Sequence, residues 1–273
     1  MTSSPFLLID GQFLKNDQLF PGAEAPDHLL FSDCIRSIRN QFMFWDEHLD
    51  LINRQSALFN LPAPLFLSHN GKELKRQLER TLVKNKLFKS ARIDLFFFRQ
   101  KQQLSYWARA SEIEATGYEL NREGISLTSF GQTAKAISPL SALRVGSEIF
   151  WKMLRSSHSP NAEFILYNTN QAIVEVAERN IFIVNGNTVS TPSETTGVYL
   201  NPARKVIRQL CLNEGLIFHE ADQLTTDDLL RADEVFVAGD VHGIEWVKAF
   251  EQKRYFNKTI KKINEAFKRE LIQ

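Results

Sequence analysis

Sulfur is scarce in these 273 residues: two cysteines and three methionines. Cys34 and Cys211 stand in no metal-ligand spacing, which argues against a disulfide scaffold and predicts two buried structural thiols. Long apolar runs are missing too. None reaches the roughly 18 to 20 residues a bilayer-spanning helix needs, so no membrane partner is expected. Net charge is almost nil, with 33 basic against 32 acidic residues. Both signs are spread along the chain, without the concentrated basic surface of a nucleic-acid binder. The histidines His28, His48, His158, His219 and His242 form no HExxH or comparable spacing, so no metal site is expected. Glu47 beside His48 reads as the polar surface of a helix. A GxSxG elbow is absent, which removes the support for a hydrolase triad. VNGN and AGDVHG match no nucleotide phosphate pattern, and no repeat or low-complexity linker occurs.

What is present suits a folded enzyme-sized chain. Hydrophobic residues make up 43% and charged residues 24%, and 21 phenylalanines predict an aromatic core. The start, MTSSPFLLIDGQF, has no basic residue ahead of its short apolar stretch, so a cytoplasmic rather than secreted protein is expected. FLLIDGQFL reads as strand, turn and strand, and LLFSDCIRSIRNQFMFW as a strand pair. DEHLDLINRQSALFNL and GKELKRQLERTLVKNKL carry helical periodicity, and ARIDLFFFRQ is a strand. SALRVGSEIFWKMLRSS reads as a helix. Beyond it come strands NAEFILYN and AIVEVAE, then a hairpin in NIFIVNGNTVSTP turning at Asn185 and Gly186. A helix in RKVIRQLCLNEG ends at Gly215. LIFHEADQ is a strand, TTDDLLRA a helix capped by Thr225 or Thr226, and DEVFVAGDVHGIEWVKAF a terminal strand region. The last helix docks through Phe256, Ile260, Ile263, Phe267 and Leu271. Periodicity weakens between residues 110 and 135, which divides an N-terminal α/β domain, 1–115, from a C-terminal one, 116–273. The class is α/β or α+β.

Four segments in series resemble a known family. IDGQF is similar to its opening strand-turn, and EHLDLI with SALFNLP to its EHLxRL…SAxxLGLP helix. EVAERNIFIV is similar to ExxxxNIFxV, and DEVFVAGDVHGIEWV to DEVFxTGTAxGVxPV. The family is that of the class IV, fold type IV enzymes dependent on pyridoxal phosphate (PLP), which includes D-amino acid aminotransferase-like proteins and aminodeoxychorismate lyases. The resemblance covers roughly residues 6 to 250. It implies two α/β domains with a cofactor cleft between them, in a homodimer.

Fold alone does not settle activity. PLP needs an amine for its aldehyde, a carboxylate for its ring nitrogen, and cations, hydroxyls or helix-start N–H groups for its phosphate. Set against the family's PLAGIKHLNRLE, the stretch PLSALRVGSEIF places Arg144 at the lysine. A guanidinium stays protonated and cannot attack an aldehyde, and Lys135 and Lys152 fit only after a large register shift. In EHLDLI, Leu51 replaces the phosphate-binding arginine. Arg54, one turn on, either compensates or is a surface charge. Asn201, Pro202 and Ala203 stand where the family has a phosphate-cradling GIT, and Asp240, followed by Val241, stands at a threonine. Glu175 matches the carboxylate of the ring nitrogen. The glycines of YGDGxFE are absent, and Ser32 replaces its acidic residue.

Together these positions predict a repurposed or non-catalytic member without PLP, its cleft partly filled by Arg144 facing Glu175 and Asp240. A small anion held by Arg144 is a further option. The alternative is an active aminotransferase or 4-amino-4-deoxychorismate lyase using PLP. His242, between Asp240 and Glu245, is expected to have a raised pKa.

Overall fold

The computed structural model describes residues 5–15, 29–100, 102–157 and 163–272. Expectations placed on residues 1–4, His28, His158 and the first two residues of NAEFILYN lie outside these. The chain divides into two compact units, Met1–Gly117 and Tyr118–Gln273.

In the first unit, β1 (Phe6–Ile9) and β2 (Gln12–Lys15) form the opening hairpin, turning through Asp10 and Gly11. β3 (Leu29–Ile38) and β4 (Gln41–Phe42) form the second, with Arg39 and Asn40 in left-handed conformations between them. Helices α1 (Trp45–Ala57) and α2 (Ser68–Lys84) follow, then β5 (Ser90–Gln100) and β6 (Gln103–Glu112). The strands make one antiparallel sheet in the order β2-β1-β6-β5-β3-β4. Helix α1 buries Trp45, Leu49 and Ile52, spaced four and three residues apart on one face. The backbone turns left-handed at His69, Asn70 and Gly71 before the regular part of α2. A Cβ on Gly71 would lie 2.6 Å from a methyl of Leu49, so only glycine fits that approach.

His48 is not surface polarity. It is fully buried, with Nδ1 2.8 Å from Oδ2 of the equally buried Asp33. Glu47 is half-buried, and reading the pair as helix surface gave no sign that β3 would supply a carboxylate to the next residue.

The second unit contains β7 (Ile125–Ser129), α3 (Arg144–Ser156), β8 (Glu163–Tyr167), β9 (Ile173–Val176), β10 (Arg179–Asn185) and β11 (Thr188–Pro192). After them come α4 (Ala203–Asn213), β12 (Ile217–Ala221), α5 (Thr226–Arg231), β13 (Glu234–Gly239), β14 (Gly243–Phe250), β15 (Lys253–Arg254) and α6 (Lys258–Ile272). The sheet runs β12-β11-β10-β13-β14-β7-β8-β9, and β9 pairs back onto β10. Six strands therefore close into a ring, which leaves no open edge along β9 or β10. Its apolar filling includes Ile165, Ile173, Ile181, Val237, Val247 and Phe250.

Local signals explain much of this unit. Thr225 caps α5 in a reciprocal capping box with Asp228. The β10–β11 turn is Gly186–Asn187, one residue later than expected, because Asn185 pairs with Thr188. The segment DEVFVAGDVHGIEWVKAF is two antiparallel strands, β13 and β14, joined through Asp240–His242. Helix α6 buries Ile260, Ile263 and Phe267, whereas Phe256 precedes the helix and is 80% exposed. Both cysteines are free and buried, and burial pushes the Cys211 thiol up to about 12.

Candidate active site

The residues that can carry chemistry gather in the second unit around Glu175. This carboxylate sits on β9, opposite Leu166 of β8 and Asn180 of β10, and is fully buried. A buried carboxylate needs donors, and three converge on it. Lys135 Nζ lies 2.8 Å from Oε2, the Tyr199 backbone N–H donates to the same oxygen at 2.6 Å, and Trp151 Nε1–H donates to Oε1 at 2.7 Å.

Each donor is held by its own element. Lys135 lies in a parallel bridge to Asn168, just beyond β8, with its N–H on the Tyr167 carbonyl. Trp151 belongs to the face of α3 that also buries Ser147 and Leu154. Its ring packs edge-on against Tyr199 with centroids 4.8 Å apart. Asn180 Nδ2 donates to the Tyr199 carbonyl at 2.6 Å and fixes that segment over β10. The side chains of Lys135 and Glu175 are both 0% exposed. Burial pushes the Lys135 amine below the ordinary lysine range, and Glu175 opposes that through its charge and hydrogen bond. Separating such a pair costs about 3–5 kcal/mol, because one buried charge is left alone.

Arg144 does not face Glu175. It begins α3, where Nε bonds Glu148 at 3.2 Å, Nη2 approaches Glu178 at 3.4 Å, and the guanidinium lies over the Trp151 ring, 5.1 Å from its centroid. Glu178 also pairs with Arg155. The expected Arg144–Glu175 contact is thus replaced by Lys135–Glu175. Anchoring the sequence comparison on Pro139 hid this. Laying the lysine of IKHLNRL on Lys135 instead puts Ile137 and Leu140 under its two leucines, a signal that was available.

A second polar cluster lies at the start of α4. Asn201 Nδ2 donates to the Glu178 carbonyl and to Asp240 Oδ1, both at 2.8 Å. Its Oδ1 accepts the N–H groups of Ala203 at 2.9 Å and Asp240 at 3.0 Å. Asn201, Asp240, Ala203 and Val241 are all buried. The Tyr118 hydroxyl donates to the Asp240 carbonyl. Leu51 and Arg54 belong to the first unit, the former buried and the latter exposed near the end of α1.

His242 departs from expectation. Part of its ring meets solvent, yet dehydration and the nearby Arg179 guanidinium hold it below the ordinary histidine range, outweighing Glu245, Asp240 and Glu178. Arg179 is itself tied to Glu245 at 2.6 Å and Glu163 at 2.9 Å. Among the described residues no group of three or more histidines, cysteines or carboxylates could hold a metal, and no helix is long and apolar enough to cross a membrane.

The family description "Amino-transferase class IV" matches residues 31–250. This chain belongs to that family. The class IV aminotransferase fold is also what solved structures share with it. A branched-chain aminotransferase from Thermoproteus uzoniensis with norvaline superposes at a TM-score of 0.83 with 19% identity, covering 99% of this chain and 95% of that one. A putative 4-amino-4-deoxychorismate lyase from Legionella pneumophila gives 0.76 with 16% identity, over 93% and 97%. In sequence, branched-chain-amino-acid aminotransferase 6 of Arabidopsis thaliana is 38% identical over 93 residues, 34% of this chain. The match spans only 25% of that relative.

PLP is the family's cofactor, and the residues described fit it only in part. Lys135 supplies an amine and Glu175 a carboxylate, the groups that its aldehyde and ring nitrogen need, and the two touch directly. Glu175 is already shared among three donors. At α4, the Ala203 N–H is given to Asn201, and a carboxylate stands beside it.

Proposed function

We propose that this chain is a class IV aminotransferase-fold protein that does not run PLP chemistry, its second unit using the family's polar positions as a buried structural network. The observation that carries this reading is the direct contact of Lys135 with Glu175, closed from the other side by Trp151. In this reading Lys135, not Arg144, occupies the family's lysine position. The amine is therefore retained, and what removes the chemistry is its enclosure. An amine enclosed against a buried carboxylate, with neither side chain exposed, has no open approach for an aldehyde.

One observation favours a second reading, in which the protein is an active PLP-dependent aminotransferase or 4-amino-4-deoxychorismate lyase. Lys135 and Glu175 are both present and adjacent, and a ligand that binds tightly enough could part them. One experiment separates the two. Purified protein is incubated with PLP, reduced with borohydride and mapped by peptide mass spectrometry. The proposal expects no pyridoxyl group on Lys135 above the level of exposed lysines, and stoichiometric labelling of Lys135 would favour the enzyme.

A further inference from the structure

The two polar clusters of the second unit are closed by different means. A helix of eleven residues presents uncompensated N–H groups and a partial positive charge at its start, a natural seat for an anion. Here that seat is taken by the chain itself. The amide of Asn201 makes four hydrogen bonds, to the Glu178 carbonyl, Asp240 Oδ1, the Ala203 N–H and the Asp240 N–H. Those four use its two N–H groups and both acceptor sites on its oxygen. The amide thus bridges the first turn of α4 to the end of β13, and it carries the Asp240 carboxylate on its outer N–H. Pro202 removes a further donor from the same turn.

We propose that Asp240 is the built-in anion of this helix start and Asn201 its bracket, so that the second unit excludes phosphate-bearing ligands. The proposal deepens the reading above by naming the ligand class refused and the residues that refuse it. A second anion at this seat would stand within a few ångströms of Asp240, and like-charge repulsion at that range is on the order of one to a few kcal/mol. The corresponding penalty in affinity is about ten-fold or more.

Inorganic phosphate is the probe, because it has no carbonyl and so tests the seat independently of Lys135. Amide resonances of Ala203, Arg204 and Asp240 are followed by NMR while phosphate is titrated into the whole protein. The wild-type resonances are expected to stay in place. In Asp240→Thr, which removes the charge and supplies a hydroxyl, those of Ala203 and Arg204 are expected to move saturably, with an affinity at least about ten-fold above any wild-type binding. Asp240→Asn keeps the shape and removes only the charge, and its affinity is expected to lie between the two. Saturable movement in the wild-type protein overturns the proposal even if neither variant folds. So does a folded Asp240→Thr that binds phosphate no better than wild type. Capture of PLP on Lys135 would sink the earlier reading without touching this one, and phosphate binding by the wild type would do the reverse.

Discussion

The buried pair at β9 and the polar clasp at α4 lie in the same unit but differ in kind. At β9 two opposite charges are kept and neutralise each other, Lys135 on Glu175, with the tryptophan of α3 satisfying the remaining oxygen. At α4 a neutral amide divides its four hydrogen bonds among a helix-start N–H, a carboxylate, and the backbone of Glu178 and Asp240. The first arrangement holds chemically competent groups in an enclosed state. The second replaces the groups an anion would need. On the proposed reading a polar site is closed either by pairing or by substitution, and the two leave different energetic marks.

The sharpest way to break that contrast is to remove one charge from the pair. Glu175→Ala leaves Lys135, the Trp151 N–H and the Tyr199 N–H without their acceptor and is expected to cost about 3–5 kcal/mol in urea unfolding. Adding Lys135→Met should recover part of the loss, with a coupling of about 0.5–3 kcal/mol in the double-mutant cycle. Strict additivity would mean that the two side chains do not act as a pair. Asn201→Ala is the matching change at α4. It removes a donor from the buried Asp240 carboxylate and the acceptor of two backbone N–H groups but leaves no charged partner behind on Asn201, so a loss of about 1–3 kcal/mol is expected. A loss equal to that of Glu175→Ala would erase the distinction.

The smallest effect concerns pH. His242 is held below the ordinary histidine range, so as pH falls through about 6.5 the unfolded chain takes up a proton first. Native stability must then decline, and the decline levels off once the folded ring is protonated too. His242→Gln should remove that slope from the stability profile. An unchanged slope would show that other groups carry it.

Much of the fold could be read from local patterns, because local chemistry makes it. The Asp10–Gly11 turn, the burial of Ile260, Ile263 and Phe267, and the Thr225 cap each depend on residues within a turn or two. The site was legible in part. Glu175 emerged from its place before Asn180, and the α4 departures were visible as Asn201, Ala203 and Asp240. Lys135 was passed over because the comparison anchored on Pro139 put Arg144 in its place; the spacing to Ile137 and Leu140 pointed to it, but its contact with a strand forty positions later shows only in the fold. Trp151 looked like ordinary helix packing, and its indole N–H gains a role only once α3 lies against β9. Asp33 and His48 were missed for the same reason. Pairings between distant elements are decided by topology, and no spacing announces them.

The central claim is that Lys135 and Glu175 hold each other in place of a cofactor. A crystal structure of the protein grown with excess PLP tests it most directly. The account predicts that Nζ of Lys135 stays within hydrogen-bonding distance of Glu175, with Trp151 on the other oxygen. Continuous density from Nζ into a pyridine ring, with Glu175 turned to the ring nitrogen, would contradict it.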